Sequence, residues 1–282
     1  MTQLSLLEQA RIEAPECTDK EHVALLAARL IEDLAATPPI DLELIASWQG
    51  VAKIQVEDIP WAGCLISDGA QVIMKLRSGD TRRRRRFTGF HEVGHTFCPG
   101  FLLEPQYRCT PSVVLSRPNI EGLCDVAASE LLFPRRLVEA DLAVADFGLD
   151  TVEEIAERYD GSFEAAAHRF VHLWPEDTLL LVLEPGFRKS ERDDPEAVAK
   201  LRVRSAHASG IWPFIPRNKS VSEESALSRA LLGELIDEPS TLDDLCIAVD
   251  RVDVSARLMP YRRDGEIVDR VLALYRRPSG RT

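Results

Sequence analysis

The chain has 282 residues, of which 45% are hydrophobic and 28% charged, a composition typical of a globular protein with one large or two modest domains. It has no apolar run near the ~18 residues that read as a membrane span, and its N-terminus lacks the basic start and apolar stretch of a signal peptide. The formal net charge of −12 argues against tight nucleic-acid binding through the whole surface. These features predict a cytoplasmic protein without a membrane span.

The first elements are predicted from caps and breaks. Residues 1–17 are expected to form a flexible tail. Thr18 and Glu21 have the spacing of a capping box, which predicts a helix starting there. Asp41 is expected to cap a second, shorter helix, and the apolar residues of 51–56 predict a strand.

A hairpin and a helix follow. The segments 63–69 and 71–77 predict two strands joined at Asp68-Gly69, a common hairpin signal. Thr81 is an N-cap for a helix over 82–97, which ends because Cys98-Pro99-Gly100 cannot continue it.

This helix carries the most informative residues of the chain. His91-Glu92-Val-Gly-His95 is an HExxH pattern, which arises by chance in about one chain in a hundred of this composition. Residues i and i+4 share a helix face, so His91 and His95 can bind one metal ion. Glu92 lies near enough to take a proton from a water molecule activated there.

A catalytic zinc usually has three protein ligands, so a third must come from downstream. Glu121 begins an apolar helical segment after a predicted loop at 101–120, a stretch that could line a substrate cleft. Asp125 lies one turn further and could accept a hydrogen bond from a ligand histidine. The alternative is that Glu121 is an acid favoured by the helix dipole and Asp125 belongs to a solvated face.

Two segments resemble the ImmA/IrrE-type zinc metallopeptidases. Residues 86–95 are similar to that family's Arg-Phe-Thr-x-x-His-Glu-x-Gly-His segment. Residues 121–134 are similar to its downstream helix, which begins with a glutamate ligand and ends in Leu-Leu-hydrophobe-Pro. Asp125 stands where the family often has asparagine, and Ala127 where phenylalanine is usual. The resemblance covers roughly residues 20–175.

The resemblance implies an α+β fold in which a minimal thermolysin-like (zincin) domain precedes a small α+β C-terminal domain. It implies one catalytic Zn²⁺ bound by His91, His95 and Glu121, with Glu92 as general base and Asp125 orienting a ligand histidine. It also implies a protein substrate, usually a helix-turn-helix repressor whose cleavage switches genes on.

Two helices predicted at 151–173, capped by Thr151 and Ser162, resemble a helix-turn-helix. The first is rich in glutamate, which favours helical packing within the domain over binding to DNA. His168 or Arg169 could stabilise an oxyanion, although structural roles are favoured for both.

The C-terminal part has no recognisable chemical motif. The predicted domains are the tail at 1–17, the metallopeptidase domain at 18–176 and a small α+β domain at 177–282. The last of these could select the substrate, sense a ligand or only complete the fold, and His207 in it is expected to be structural. Its predicted elements are strands at 178–183, 201–207, 245–254 and 267–275 and a helix at 222–235.

Two further features leave alternatives open. The five arginines of 82–86 stand at a helix N-terminus, where the dipole disfavours cations. They could recruit acidic residues of a protein substrate or nucleic acid. The favoured interpretation is that Arg86 is a structural residue typical of the family and that the others form a solvated face. The six cysteines show no CxxC pair and are expected to be reduced thiols. Cys98 and Cys109 flank the metal segment, so a metal or redox role is the alternative there.

The function predicted from these residues is that of a cytoplasmic zinc endopeptidase. A zinc-containing regulator that binds a repressor without cutting it, or a toxin-like partner of a paired operon, is the alternative. The presence of Glu92 beside the ligands favours an enzyme, because a structural zinc needs no general base and tends to have a fourth protein ligand.

Overall fold

The structure is a computed structural model. It describes residues 4–67, 71–99, 106–107, 118–191, 194, 196–242, 245, 251–263 and 266–278. The chain divides into two compact units that interleave along the sequence: residues 1–138 with 155–165, and residues 139–154 with 166–282. The predicted domain boundary at 176/177 remains a prediction.

The first unit begins with three helices: α1 (Leu6–Glu13), α2 (Asp19–Asp33) and α3 (Leu42–Trp48). The prediction of a loose tail over 1–17 is wrong for the residues of α1. Ser5 and Glu8 form a capping box there, and Leu7 is buried, so local capping and one apolar anchor both stabilise the helix. The predicted caps of α2 and α3 are confirmed at Thr18 and Asp41.

A four-stranded sheet follows, in the order β1-β3-β2-β4. Its strands β2 and β3 pair antiparallel, which confirms the predicted hairpin; its turn at 68–70 lies outside the described residues. Strand β1 pairs parallel with β3, and β4 is a short antiparallel partner of β2. The strands are β1 (Val51–Glu57), β2 (Gly63–Ser67), β3 (Val72–Arg77) and β4 (Gln106–Tyr107).

The next helices are α4 (Arg82–Phe97), α5 (Pro118–Leu132) and α6 (Arg135–Leu142). The bounds predicted for α4 are confirmed, with Thr81 accepting a hydrogen bond from the backbone N–H of Arg84. Most of the loop predicted over 101–120 lies outside the described residues, and α5 begins at Pro118, before Glu121.

Helices α7 (Leu149–Arg158) and α8 (Phe163–Leu173) confirm the predicted helical pair. The cap predicted at Thr151 is wrong, since α7 begins two residues earlier. The N–H of Leu149 donates to Ser255 Oγ at 3.1 Å, while the hydroxyl of Thr151 donates to the carbonyl of Asp146 at 2.7 Å. Ser255, which is distant in sequence, thus accepts the hydrogen bond of a backbone N–H in the first turn of α7. Local spacing does not reveal such a contact.

The second unit contains a five-stranded sheet in the order β6-β5-β11-β8-β7, with antiparallel neighbours. One face packs on helix α9 (Ala226–Leu231) around an apolar cluster that includes Leu181, Val254 and Ala273. A separate pair of strands, β9 and β10, forms a small hairpin. The strands are β5 (Thr178–Gly186), β6 (Lys200–Ser209), β7 (Ile236–Ser240), β8 (Val252–Leu258), β9 (Tyr261–Arg263), β10 (Glu266–Val268) and β11 (Val271–Arg276).

Three predictions in this unit need correction. The single strand predicted at 267–275 is two strands, β10 and β11, interrupted at Asp269-Arg270, where Arg270 instead exchanges hydrogen bonds with Met259. The helix predicted at 222–235 is only α9, capped by Ser225. The strand predicted at 245–254 begins at Val252, with 246–250 outside the described residues.

The fold is therefore α+β, with a zincin-like first part, as the sequence predicts. Among the residues that the structure describes, no helix is long and apolar enough to cross a membrane.

Candidate metal centre

Helix α4 is divided into two halves with different surroundings. Its residues from Thr88 to Phe97 are all buried, because this half lies against the sheet and along α5. Its first turns carry the five arginines. The histidines and the glutamate of the HExxH pattern therefore all lie in the buried half, where few water molecules can compete for their polar atoms.

Two aspartates of the same unit lie close to the arginine run. Asp160 lies 2.9 Å from Arg82 and 3.2 Å from Arg86, and Asp80 lies 3.4 Å from Arg84. Arg85 donates to the carbonyl of Asp80. These contacts support the solvated-face hypothesis for most of the run, with aspartates offsetting the unfavourable dipole. The recruiting hypotheses remain untested.

His91 lies between the two acids predicted on α5. Its Nδ1 is 2.8 Å from Asp125 Oδ1, and its Nε2 is 3.2 Å from Glu121 Oε2. With the proton on Nδ1, the ring donates to Asp125 and turns its Nε2 lone pair toward Glu121. This is the orientation that a histidine needs in order to bind a metal through Nε2.

His95 completes the arrangement from the next turn of α4. Its Nε2 lies 3.7 Å from Glu121 Oε1, and its ring centroid is 5.2 Å from that of His91. One carboxylate thus faces the Nε2 atoms of both histidines. Both histidines are buried, whereas Glu121 is only partly buried.

Glu92 is completely buried, on the part of α4 next to strand β2. Gly63 of β2 makes room for this arrangement: a Cβ there would lie 2.5 Å from Thr88 Cγ2 and 3.0 Å from Glu92 Oε1. The role of Gly63 could not be predicted from the sequence, because the contact joins residues that are distant in sequence.

A second glycine sets the separation of the two helices. A Cβ on Gly94 would lie 2.9 Å from both Cys124 Cα and Ala127 Cβ, which is closer than real Cβ contacts. Gly94 stands between the two histidines, so the close approach of α4 and α5 occurs at the level of the site. It also brings Cys124 toward the histidines.

Cys124 is a residue of the site that sequence analysis missed. The ligand atoms of His91, His95 and Cys124 all lie within 4.8 Å of one another, and all three residues are buried. Cys124 is also hydrogen-bonded to Cys98, and burial raises the pKa of the Cys124 thiol. Its position three residues after Glu121, on the same helix face, is the signal that could have identified it.

Other residues considered in the sequence contribute less. His168 packs against His207 with ring centroids 4.1 Å apart in the second unit, and Arg169 is buried. An oxyanion role for His168 or Arg169 remains a prediction. Cys109 lies outside the described residues, whereas the described Cys17, Cys64, Cys98 and Cys124 are free thiols, as predicted.

The donors brought together here fit a divalent zinc ion. Two imidazole nitrogens and a carboxylate face one another, and a general-base candidate lies beside them on α4. This is the donor set of catalytic zinc sites with three protein ligands. The thiol of Cys124 is an additional donor of a kind that zinc also binds.

Comparison with known protein families gives a match to part of the chain. The model of the family described as Peptidase_M78, IrrE N-terminal-like domain, matches residues 65–171. The match includes strand β3, the HExxH helix and the helix that carries Glu121.

A solved structure similar to the chain is described as "Mycobacterium tuberculosis transcriptional regulator". It is 10% identical in sequence, with a TM-score of 0.56 over 96% of this chain and 81% of the other. At this identity the likeness concerns the fold alone. No curated protein matches the sequence significantly.

Proposed function

We propose that this chain, which belongs to the ImmA/IrrE family through its IrrE N-terminal-like domain, is a zinc-dependent endopeptidase that cleaves a helix-turn-helix transcriptional repressor. The observation that carries the proposal is the position of Glu121. Its carboxylate lies 3.2 Å from Nε2 of His91 and 3.7 Å from Nε2 of His95.

In this proposal His91, His95 and Glu121 hold the zinc ion. Bound there, zinc would polarise the scissile carbonyl and make a water molecule acidic enough to attack it. The carboxylate of Glu121 offsets part of the positive charge of the ion. Asp125 accepts the Nδ1 proton of His91 at 2.8 Å, which leaves the Nε2 lone pair of the neutral ring for the metal and fixes the direction of the ring.

Glu92 is the proposed general base. Its carboxylate takes a proton from the attacking water and then delivers it to the nitrogen of the leaving amine. Complete burial of Glu92 suits this role, because bulk water is excluded from the carboxylate that has to hold the attacking water. Thr88 and Gly63 pack beside it and limit its freedom to turn away.

The class of substrate is inferred from the family and not from a surface of this protein. The chain's fold resembles that of a protein described as a transcriptional regulator, which fits a role in gene regulation. A helix-turn-helix regulator encoded beside the gene is the first substrate to test.

The test is incubation of the zinc-loaded protein with that regulator, followed by intact mass spectrometry. We expect one discrete cut, absent after chelation and restored by zinc. Glu92→Gln should retain zinc and leave the regulator intact. Glu130→Gln is a matched control, because Glu130 is also a buried glutamate but lies about 13 Å along α5 from Glu121.

The position of Cys124 favours a second function, because its sulfur lies within 4.8 Å of ligand atoms of His91 and His95. If Cys124 binds the metal together with both histidines and Glu121, the site has no open position, and the protein could sequester a repressor without cutting it. A stable complex with unchanged partner mass, in both the wild type and Glu92→Gln, would support that function and contradict cleavage.

A further inference from the structure

We propose that the thiolate of Cys124 is a fourth protein ligand of the metal, which closes the site in a resting form of the enzyme. The inference rests on the proposed function, since it presupposes that His91, His95 and Glu121 bind the ion.

The position of Cys124 is the first support. It lies one turn after Glu121 on α5, is completely buried, and its sulfur lies within 4.8 Å of ligand nitrogens of His91 and His95. Ligand atoms around a tetrahedral zinc are separated by about 3.3–3.8 Å, as its bond lengths require. The group of His91, His95 and Cys124 therefore needs to contract by at most about 1 Å to reach these separations.

The close contact of the helices is the second support. The Cα of Cys124 lies so near Gly94 that a Cβ on that glycine would be 2.9 Å from it. Cys124 is thus held against the turn of α4 that separates the two histidines. Backbone packing, and not only a side-chain rotamer, holds the sulfur near the site.

The number and type of the ligands decide whether the metal site can be catalytic. Zinc binds thiolate strongly, and sites with four protein ligands are typically structural because no position is left for water. A site of two histidines, one glutamate and one cysteine would hold the metal tightly but would not hydrolyse peptides. Departure of the sulfur would return the site to the three-ligand, catalytic form.

Cys98 offers the sulfur another partner. Cys124 is hydrogen-bonded to Cys98, which is buried at the C-terminal end of α4. In the proposal the sulfur of Cys124 has two positions, one as a thiol on Cys98 and one as a thiolate on the metal, and the thiol releases its proton to solvent when it binds the metal. The balance between these positions would set the fraction of the protein that is active.

Cobalt substitution tests the assignment independently of peptidase activity. Co²⁺ bound by a thiolate has a strong sulfur-to-metal charge-transfer absorption in the near ultraviolet, which histidine and carboxylate ligands do not produce. We expect the protein to bind equimolar Co²⁺ and to show this absorption. Cys124→Ala should lose the absorption and still bind Co²⁺. Cys64→Ala, which removes another completely buried thiol, and Cys98→Ala should both retain it.

The outcomes separate the two proposals. Equimolar Co²⁺ without the sulfur absorption, or an absorption that survives in Cys124→Ala, overturns the role of Cys124 and leaves the proposed metal site intact. Failure of the wild type to bind Co²⁺ or Zn²⁺ overturns the proposed function itself.

A measurement on the wild type covers the case in which Cys124→Ala does not fold. X-ray absorption at the zinc edge should show one sulfur at about 2.3 Å beside lighter ligands at about 2.0–2.1 Å. A shell of nitrogen and oxygen alone contradicts the inference. With a cleavable regulator available, Cys124→Ala should also cut faster than the wild type, whereas Cys64→Ala should not.

Discussion

Two buried regions of the molecule differ in the type of side chain that they bury. On and around helix α4, the first unit buries His91, Glu92 and His95 close to one another. On one face of its five-stranded sheet, the second unit buries a cluster of apolar side chains. Burial of ionisable groups costs free energy unless they are paired or bind a metal, whereas burial of apolar groups stabilises the fold. The comparison predicts that substitutions in the first region affect the proposed chemistry and that substitutions in the second affect stability.

The largest expected effect separates chemistry from stability within the first region. Glu92→Gln should lower the rate of regulator cleavage by about 10²–10⁴-fold, the usual contribution of a general base. Its zinc content and melting temperature should stay at wild-type values, since the amide has the same shape. Undiminished cleavage would remove Glu92 from the mechanism.

The second region should respond in the opposite way. Leu181 is completely buried in the apolar cluster, so Leu181→Ala should lower the free energy of unfolding by about 2–5 kcal/mol. Zinc content of the folded protein should not change. Val198→Ala, at a largely exposed position, should have little effect in the same urea titration. A loss of zinc from folded Leu181→Ala would show that the two regions are not independent.

The contact between α4 and α5 can be broken without changing any of the proposed metal ligands. Gly94→Ala should destabilise the protein by about 1–3 kcal/mol, as expected for overpacking, and weaken zinc binding, because a Cβ would lie 2.9 Å from Cys124 Cα. Gly122→Ala is the matched control on α5, since a Cβ there meets no atom within 4 Å. Equal zinc affinity in the two variants would contradict the role of Gly94.

Asp125 allows a finer test. Loss of the hydrogen bond to His91 Nδ1 in Asp125→Ala should weaken zinc binding by about 10–100-fold. Asp125→Asn should retain most of the affinity, because an amide oxygen can still accept this proton. Competition with a chelator measures both. Equal losses in the two variants would show that the charge of Asp125, and not its acceptor, is what matters.

The smallest expected effect is at the other end of α4. Asp160→Asn should destabilise the protein by about 1–2 kcal/mol, since it removes the charge that faces Arg82 and Arg86. Asparagine is suitable because residue 160 has φ of 51°, which asparagine tolerates well. The difference should shrink at high salt. A difference that is independent of salt would indicate a packing effect.

Local signals account for what the sequence predicted well. The bounds of α4 follow from Thr81 at its start and Cys98-Pro99 at its end, both within or beside the segment itself. The hairpin of β2 and β3 likewise depends on neighbouring residues. His91, Glu92 and His95 are one turn apart, so their proximity needs only helix geometry.

Contacts between distant residues account for what was missed. The roles of Gly63 and Cys124 arise from packing of β2 and α5 against α4, which no local pattern encodes. Strand β7 was not predicted because Asp237, Glu238 and Pro239 are poor strand formers. It is tolerated because β7 lies at an edge of its sheet.

The ion pairs between Asp160 and the start of α4 have a consequence for folding during synthesis and for where the chain can be truncated. Helices α4 and α5 are complete by residue 132, yet Arg82 and Arg86 pair with Asp160, which the ribosome adds later, and residues 155–165 belong to the same compact unit. A nascent or truncated chain ending near residue 150 would contain the whole HExxH helix and Asp80, but it would lack the carboxylate that faces Arg82 and Arg86. Expression fragments intended to retain the first unit should therefore extend beyond residue 165.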